Sequence, residues 1–175
     1  PRDVSPRLRA AAGVRAMVRL AAALVPLAAL ALGAETPQVI GGTVSGVTYG
    51  DTIVVATAAG PSVTVRIADI GAPRGSEWLA PGARTMLAAM MQDKAVRVDV
   101  TGASPAGLVY GHVHAGELDV ALTLVQRGFA WFCIEYAQDT SLLPWQTQAQ
   151  RLRRGVWTHT TDFDARLRCR ERPPA

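Results

Sequence analysis

The chain has 175 residues, which suffices for one ordinary domain and a leader, and its formal charge is +4. Residues 1–34 hold five arginines and one aspartate, so residues 35–175, with thirteen basic and thirteen acidic side chains, are formally neutral. Nucleic-acid-binding domains usually carry a basic face, and outside the leader only residues 151–175, with seven arginines against three acids, offer one. Composition therefore excludes a strongly basic domain, and most of the apparent basicity belongs to a targeting signal.

Residues 1–34 are predicted to be an N-terminal extension and a cleaved signal peptide, with Met17 as a possible start. Arg19 precedes an uncharged stretch from Leu20 to Ala34, and small residues at its end are typical of a cleavage site. This stretch is shorter than the roughly 20 apolar residues that span a bilayer, so no permanent membrane span is expected. The prediction is a secreted or periplasmic protein, with an uncleaved anchor or an internal helix as alternatives.

The central feature of the remaining sequence is a pair of strands. Residues 50–55 and the stretch from residue 63 towards Pro73 alternate and are rich in β-branched side chains, with a turn at 59–62. A glycine-loosened strand at 39–47 precedes them, and strands at 95–100 and 108–114 follow.

Three helices are predicted from apolar spacing and capping residues. One covers roughly 81–92, one begins at Asp119 and stops at Gly128, and one runs from Thr140 or Ser141 to Gly155. Five strands with helices in this order predict an α+β fold, a five-stranded OB-fold barrel with about three helices. The predicted domain covers residues 35–158, and residues 159–175 are predicted to be a basic C-terminal tail.

Several motifs in residues 39–158 resemble the staphylococcal nuclease (thermonuclease) family. They are Gly-Asp-Thr at 50–52, Val-Arg-Ile-Ala-Asp-Ile-Gly-Ala-Pro-Arg at 65–74, Tyr-Gly at 110–111, Leu-Val-Gln-Arg-Gly-Phe-Ala at 124–130 and Arg-Gly-Val-Trp at 154–157. The resemblance implies an OB-fold barrel and calcium-dependent hydrolysis of phosphodiester bonds in DNA or RNA. It also implies that Asp51 is a calcium ligand and that Arg66 contacts the phosphate.

Three other functional positions depart from the family pattern. Gly71 stands where the family has a second calcium-binding aspartate, Arg74 where it has the catalytic glutamate, and His112 where it has a second phosphate-binding arginine. Losing an acid–base group alone typically lowers the rate by about 10²–10⁴. The first hypothesis is therefore an exported, catalytically degenerate member without a cofactor, which binds single-stranded nucleic acid, a nucleotide or an envelope partner.

Two alternatives remain open at this point. In the first, an active nuclease holds Ca²⁺ through Asp51 and Asp69, with Arg66, His112 and Glu77 as catalytic residues. Asp69 would share a strand face with Gly71, and the loop carrying Glu77 would bend towards the site. In the second, the chain is a structural interaction module of the cell envelope with an aromatic surface formed by Trp131, Phe132, Tyr136 and Trp145.

The two cysteines, Cys133 and Cys169, can form a disulfide in an exported protein. Two unpaired thiols are the alternative. The oligomeric state is not predicted by the sequence.

Overall fold

A computed structural model describes residues 38–58 and 60–171. In chain order the elements are β1 (Val39–Tyr49), β2 (Thr52–Thr57), β3 (Val63–Ile67), β4 (Ile70–Gly71), α1 (Ala80–Met91), β5 (Ala95–Ala103), β6 (Val109–Ala115), β7 (Leu118–Asp119), α2 (Val120–Arg127), β8 (Trp131–Phe132), α3 (Leu143–Arg151), a 3₁₀ turn (Gly155–Thr158) and α4 (Asp162–Glu171). The predicted leader lies outside the described residues.

The long strands close into a five-stranded barrel. The strand order is β3-β2-β1-β5-β6 with antiparallel neighbours, and β3 pairs in parallel with β6 to close the sheet. The predicted OB-fold barrel is confirmed. Short β7 extends the sheet beside β6, and β4 pairs with β8 in a separate two-stranded sheet.

Strand β1 curls because its register with β2 shifts between Val44 and Gly46 and again between Val47 and Tyr49. A Cβ on Gly42 would lie 2.4 Å from the carbonyl oxygen of Ala56, so the two backbones approach too closely there for a side chain. The curled first strand follows from this glycine-rich sequence.

The barrel interior is apolar, and α1 packs against it. Ala83, Leu87 and Met91 of α1 are fully buried against the barrel core. Helix α2 begins where predicted, since the Asp119 carboxylate accepts a hydrogen bond from the Leu122 N–H, and it ends at Gly128 with a φ of 76°. Burial of such apolar faces supplies most of the stability of these helices.

The predicted third strand is interrupted. Residues 68–69 form a turn, Asp69 has a φ of 62°, and the Ala68 N–H bonds to the Gly111 carbonyl. The chain then leaves the barrel as β4 and pairs with β8. The expectation that Asp69 shares a strand face with Gly71 is therefore wrong, because the left-handed residue breaks the two-residue alternation between them.

The C-terminal segment is also more ordered than predicted. Instead of a polar tail, residues 162–171 form α4, which buries Ala165 and Cys169. Cys133 and Cys169 form a disulfide, with their Cα atoms 5.6 Å apart, so this predicted bridge is confirmed. It attaches α4 to the segment directly after β8.

The aromatic residues proposed as an interaction surface belong mainly to the interior. Trp131 and Phe132 are buried, whereas Tyr136 and Trp145 are partly buried against the two core clusters. Within residues 38–58 and 60–171, no helix combines the length and the hydropathy that a bilayer crossing requires.

Candidate phosphate-binding site

The site forms where β1 turns into β2. A Cβ on Gly50 would lie 2.6 Å from the Cβ of Ala83 in α1 and 3.0 Å from the Cβ of Ala72, so glycine allows the helix and the next loop to pack here. Asp51 follows and is completely buried. Its neighbour Thr52 pairs in register with Arg66 of β3, which brings the arginine beside the carboxylate.

Both oxygens of the Asp51 carboxylate face donors. Oδ1 lies 2.6 Å from Nη2 of Arg74 and accepts a hydrogen bond from the Thr52 hydroxyl at 2.8 Å. Oδ2 accepts from the Ala72 N–H at 3.2 Å and lies 3.6 Å from Nε of Arg66. The carboxylate is therefore neutralised inside the protein by two arginines.

The Arg74 guanidinium is held on two sides. Besides its contact with Asp51, it lies over the Tyr49 ring, 4.5 Å from the ring centroid, and 24% of the side chain remains exposed. The backbone N–H of Arg74 donates to the Glu77 carboxylate at 2.7 Å, and Glu77 also pairs with Arg168 of α4. These contacts fix the loop between β4 and α1, and with it the position of the guanidinium.

Gly71 faces an indole ring. A Cβ at this position would lie 2.6 Å from Nε1 of Trp131 and 3.0 Å from its Cε2. Trp131 is 1% exposed, and as a residue of β8 it pairs directly with Gly71 of β4. The indole therefore occupies the space that any side chain at position 71 would need.

The residues around Asp51 do not fit a calcium ion. Ca²⁺ takes about six to eight oxygen ligands, most of them carboxylates and carbonyls. Here the guanidinium of Arg74 touches the one buried carboxylate, and position 71 has no room for a second one beside Trp131. The described residues contain no group of three His, Cys, Asp or Glu side chains that could hold a metal.

His112 and Asp69 form a second charged pair. Nε2 of His112 lies 2.7 Å from Oδ2 of Asp69, and the imidazole is 39% exposed. The hydrogen bond to Asp69 raises the pKa of His112 above its usual value, helped by the charges of Asp69, Asp119 and Asp139 and opposed by partial burial. The raised pKa favours the protonated imidazole, whose positive charge is balanced by the Asp69 carboxylate.

Arg66 also lines a small cavity of about 40 Å³, together with Asp69, Tyr110 and Tyr136. The Tyr136 hydroxyl is buried and has no hydrogen-bond partner among the described residues. Burial raises the pKa of Tyr136 to about 12, so the phenol keeps its proton and remains a donor. A hydrogen-bond donor without a partner, beside an arginine, suits an anionic oxygen.

The residues predicted for the site thus separate into two groups. Asp51 and Arg66 come together as predicted, while Asp69 turns towards His112 instead. Glu77 accepts a hydrogen bond from the backbone N–H of Arg74 and pairs with Arg168. The acids proposed for a relocated calcium site, Asp51, Asp69 and Glu77, are therefore not brought together.

Sequence reasoning missed three contributors. The family pattern identifies position 74 only as the place of the catalytic glutamate, and the sequence offers Trp131 and Tyr136 only as core or as aromatic surface. The charge reversal at position 74 was the one sequence signal that pointed to an arginine–aspartate pair. No local pattern links Trp131 to Gly71, because the contact joins residues 60 positions apart.

Comparison with known proteins agrees with this geometry. The family described as "Staphylococcal nuclease homologue" matches residues 64–159. A Haemophilus influenzae protein named "Uncharacterized endonuclease" is 28% identical over 115 residues, 66% of this chain and 65% of that protein. A rice protein (Oryza sativa subsp. japonica) named "Probable staphylococcal-like nuclease CAN1" is 29% identical over 93 residues, 53% of this chain and 28% of that protein. The chain thus spans less than two thirds of the length of either relative.

Proposed function

Because the chain belongs to the staphylococcal nuclease homologue family, we propose that it binds single-stranded nucleic acid or nucleotides through their phosphates, without calcium-dependent cleavage. The barrel supplies the binding surface, and the arginines around Asp51 supply the charge. Catalysis is absent under this proposal because no described group of acids is placed to hold the metal or to activate water.

The observation that carries this proposal is the contact between Arg74 and Asp51. The guanidinium neutralises the carboxylate at 2.6 Å, so this site needs no metal to balance its buried negative charge. Arg66 and Arg74 flank the Asp51 carboxylate, so two cationic side chains meet at one buried acid. We expect such a site to attract a phosphate without a bound metal.

Three groups are suited to contact that phosphate. Arg66 lines the cavity, the Tyr136 hydroxyl is an unused donor in it, and His112 carries positive charge at pH values below its raised pKa. Charge-assisted hydrogen bonds of this kind are the strong ones in proteins. With two cationic contacts on a single strand, the logarithm of the affinity should fall against the logarithm of salt concentration with a slope of about −1.4.

The test measures binding and cleavage together. The full chain is titrated onto fluorescein-labelled single-stranded DNA and RNA, by fluorescence anisotropy, in millimolar calcium and in chelator. We expect the same affinity in both buffers and intact oligonucleotides on a denaturing gel. Arg66→Gln should weaken binding at least tenfold, because it removes a charged donor, whose hydrogen bonds are worth about 1.5–3 kcal/mol.

Arg151→Gln is the matched control, since Arg151 is an exposed arginine in the last turn of α3. It should bind as the wild-type protein does. Thermal unfolding of Arg66→Gln shows whether the variant folds, and Arg66→Lys, which keeps the charge, should recover part of the affinity. Calcium-dependent cleavage by the wild-type chain would overturn the proposal and restore the relocated-acid hypothesis.

We further propose that the protein is exported. The disulfide between Cys133 and Cys169 supports this, because such bonds persist in oxidising compartments. Fusing residues 1–37 to alkaline phosphatase, which becomes active only after export, should give active enzyme in a bacterial host. An inactive fusion would contradict the proposal.

A further inference from the structure

A separate groove of about 250 Å³ lies between the end of β1, the loop after β4 and the start of α1. Its lining includes Tyr49, Arg74 and Arg84, with Pro73 and Pro81 among the remaining residues. Two arginines and no carboxylate line it, although the chain from 35 to 150 has an excess of acids. The groove therefore offers positive charge beside an aromatic ring.

Tyr49 is unusually accessible for an aromatic side chain in a barrel strand, with 42% of its surface exposed. Arg74 lies over the ring, 4.5 Å from the centroid, and Arg74 is itself held by Asp51. The ring is thus ordered before any ligand arrives. Prior ordering lowers the entropic cost of binding.

Arg84 reaches across from α1 to β1. Its Nε donates to the carbonyl of Val47 at 3.0 Å, which directs the side chain along the groove wall while it stays exposed. Arg84 forms no ion pair with any residue in 38–58 or 60–171. The exposed Arg84 guanidinium can therefore bind an anion from solution.

The groove is linked to the site around Asp51 through Arg74. Arg74 lines the groove and touches Asp51, and the other oxygen of that carboxylate faces Arg66, which lines the cavity. A single buried carboxylate therefore contacts one arginine of each opening.

We propose that the groove is a second nucleotide subsite, in which Arg84 contacts a backbone phosphate and Tyr49 stacks on a base. This inference rests on the proposed function and extends it from a single phosphate to a longer strand. A single strand fits because its bases are free to stack, and aromatic rings with a cationic track are the usual platform for such strands.

The test compares two ligand lengths, a labelled thymidine dinucleotide and an oligothymidylate of about eight nucleotides, on the full chain. Arg84→Gln should weaken binding of the longer ligand about tenfold and reduce the salt slope by about 0.7. Tyr49→Leu should weaken it by a similar factor, and Tyr49→Phe, which keeps the ring, should bind as the wild-type protein does. Binding of the dinucleotide should change less than about threefold in each variant, because it fills only the first opening.

Arg151→Gln again serves as the control for loss of one exposed arginine. If Arg84→Gln and Tyr49→Leu bind the longer ligand like the wild type while Arg66→Gln does not, the groove is not a subsite and the proposed function stands. If the wild-type chain binds neither ligand, the proposed function itself fails. Equal losses for both ligand lengths would also refute the second subsite.

Discussion

Replacing Arg74 with glutamine should lower the free energy of unfolding by about 2–3 kcal/mol. Two unit charges about 4 Å apart attract by roughly 4 kcal/mol at an effective dielectric constant of about 20, and breaking a buried pair typically costs about 3–5 kcal/mol. The Asp51 carboxylate is completely buried and loses its nearest cation. Asp51 keeps its contacts with Arg66 at 3.6 Å, with the Ala72 N–H and with the Thr52 hydroxyl. The expected loss of stability therefore lies at or just below the lower limit of about 3–5 kcal/mol.

A double-mutant cycle isolates this contribution. Urea denaturation of the wild type, Asp51→Asn, Arg74→Gln and the double variant should give a coupling energy of about 2 kcal/mol. The pair of Arg97 and Asp99 is the matched control, because it joins the same residue types at 2.7 Å, with Arg97 exposed to solvent and Asp99 partly exposed. Its coupling should lie within about 0.2–1 kcal/mol.

A coupling energy for the buried pair no larger than that of the exposed pair would refute the reasoning. In that case the Arg74 guanidinium would not be the cation that balances Asp51. The same cycle repeated in calcium and in chelator should give identical values. A stabilisation by calcium confined to Arg74→Gln would show that the arginine is what keeps the metal out.

Three further predictions concern the surroundings of the site. Gly71→Ala should destabilise the protein by about 1–3 kcal/mol in urea, because the added methyl group meets the indole ring at 2.6 Å, whereas Gly41→Ala, which meets nothing within 4 Å, should stay within about 0.5 kcal/mol. Reduction of the bridge between Cys133 and Cys169, 36 residues apart, should cost about 3–4 kcal/mol, and urea curves with and without reductant would contradict this if they coincide. Because the pKa of His112 is raised by folding, its contribution is present below about pH 6.5 and is lost as pH rises through the folded pKa. The difference in unfolding free energy between wild type and His112→Gln should therefore shrink at alkaline pH, and a difference that grows would refute the assignment.

The packing around Gly71 affects how calcium-dependent cleavage could be engineered into this protein. Restoring the family residues at Gly71, Arg74 and His112 would place an aspartate against the Trp131 indole. An aspartate at position 71 would therefore have to displace the buried Trp131 indole. To gain calcium-dependent cleavage, the protein would need a smaller side chain at position 131 as well as the three family residues.

The long strands and helices α1 to α3 could be predicted from local signals in the sequence, and the barrel was predicted from their order together with the family resemblance. Strand alternation, glycines at close backbone contacts, the Asp119 cap and the Gly128 stop all act over a few residues and need no distant partner. The family motifs marked Asp51 and Arg66 as site residues, and the hairpin of β2 and β3 brings the two side chains beside each other.

The surroundings of Asp51 and the partners of the remaining acids depend on contacts between distant residues, which the sequence does not reveal. The left-handed turn at Asp69 redirects its carboxylate to His112, and this depends on contacts with β6 that no spacing rule reports. The pairing of Arg74 with Asp51 and the contact of Trp131 with Gly71 join residues far apart in the chain. Electrostatic balance and steric exclusion in a buried site depend on distances in three dimensions, and for that reason the sequence could show a glycine at position 71 and an arginine at position 74 but not which groups surround Asp51.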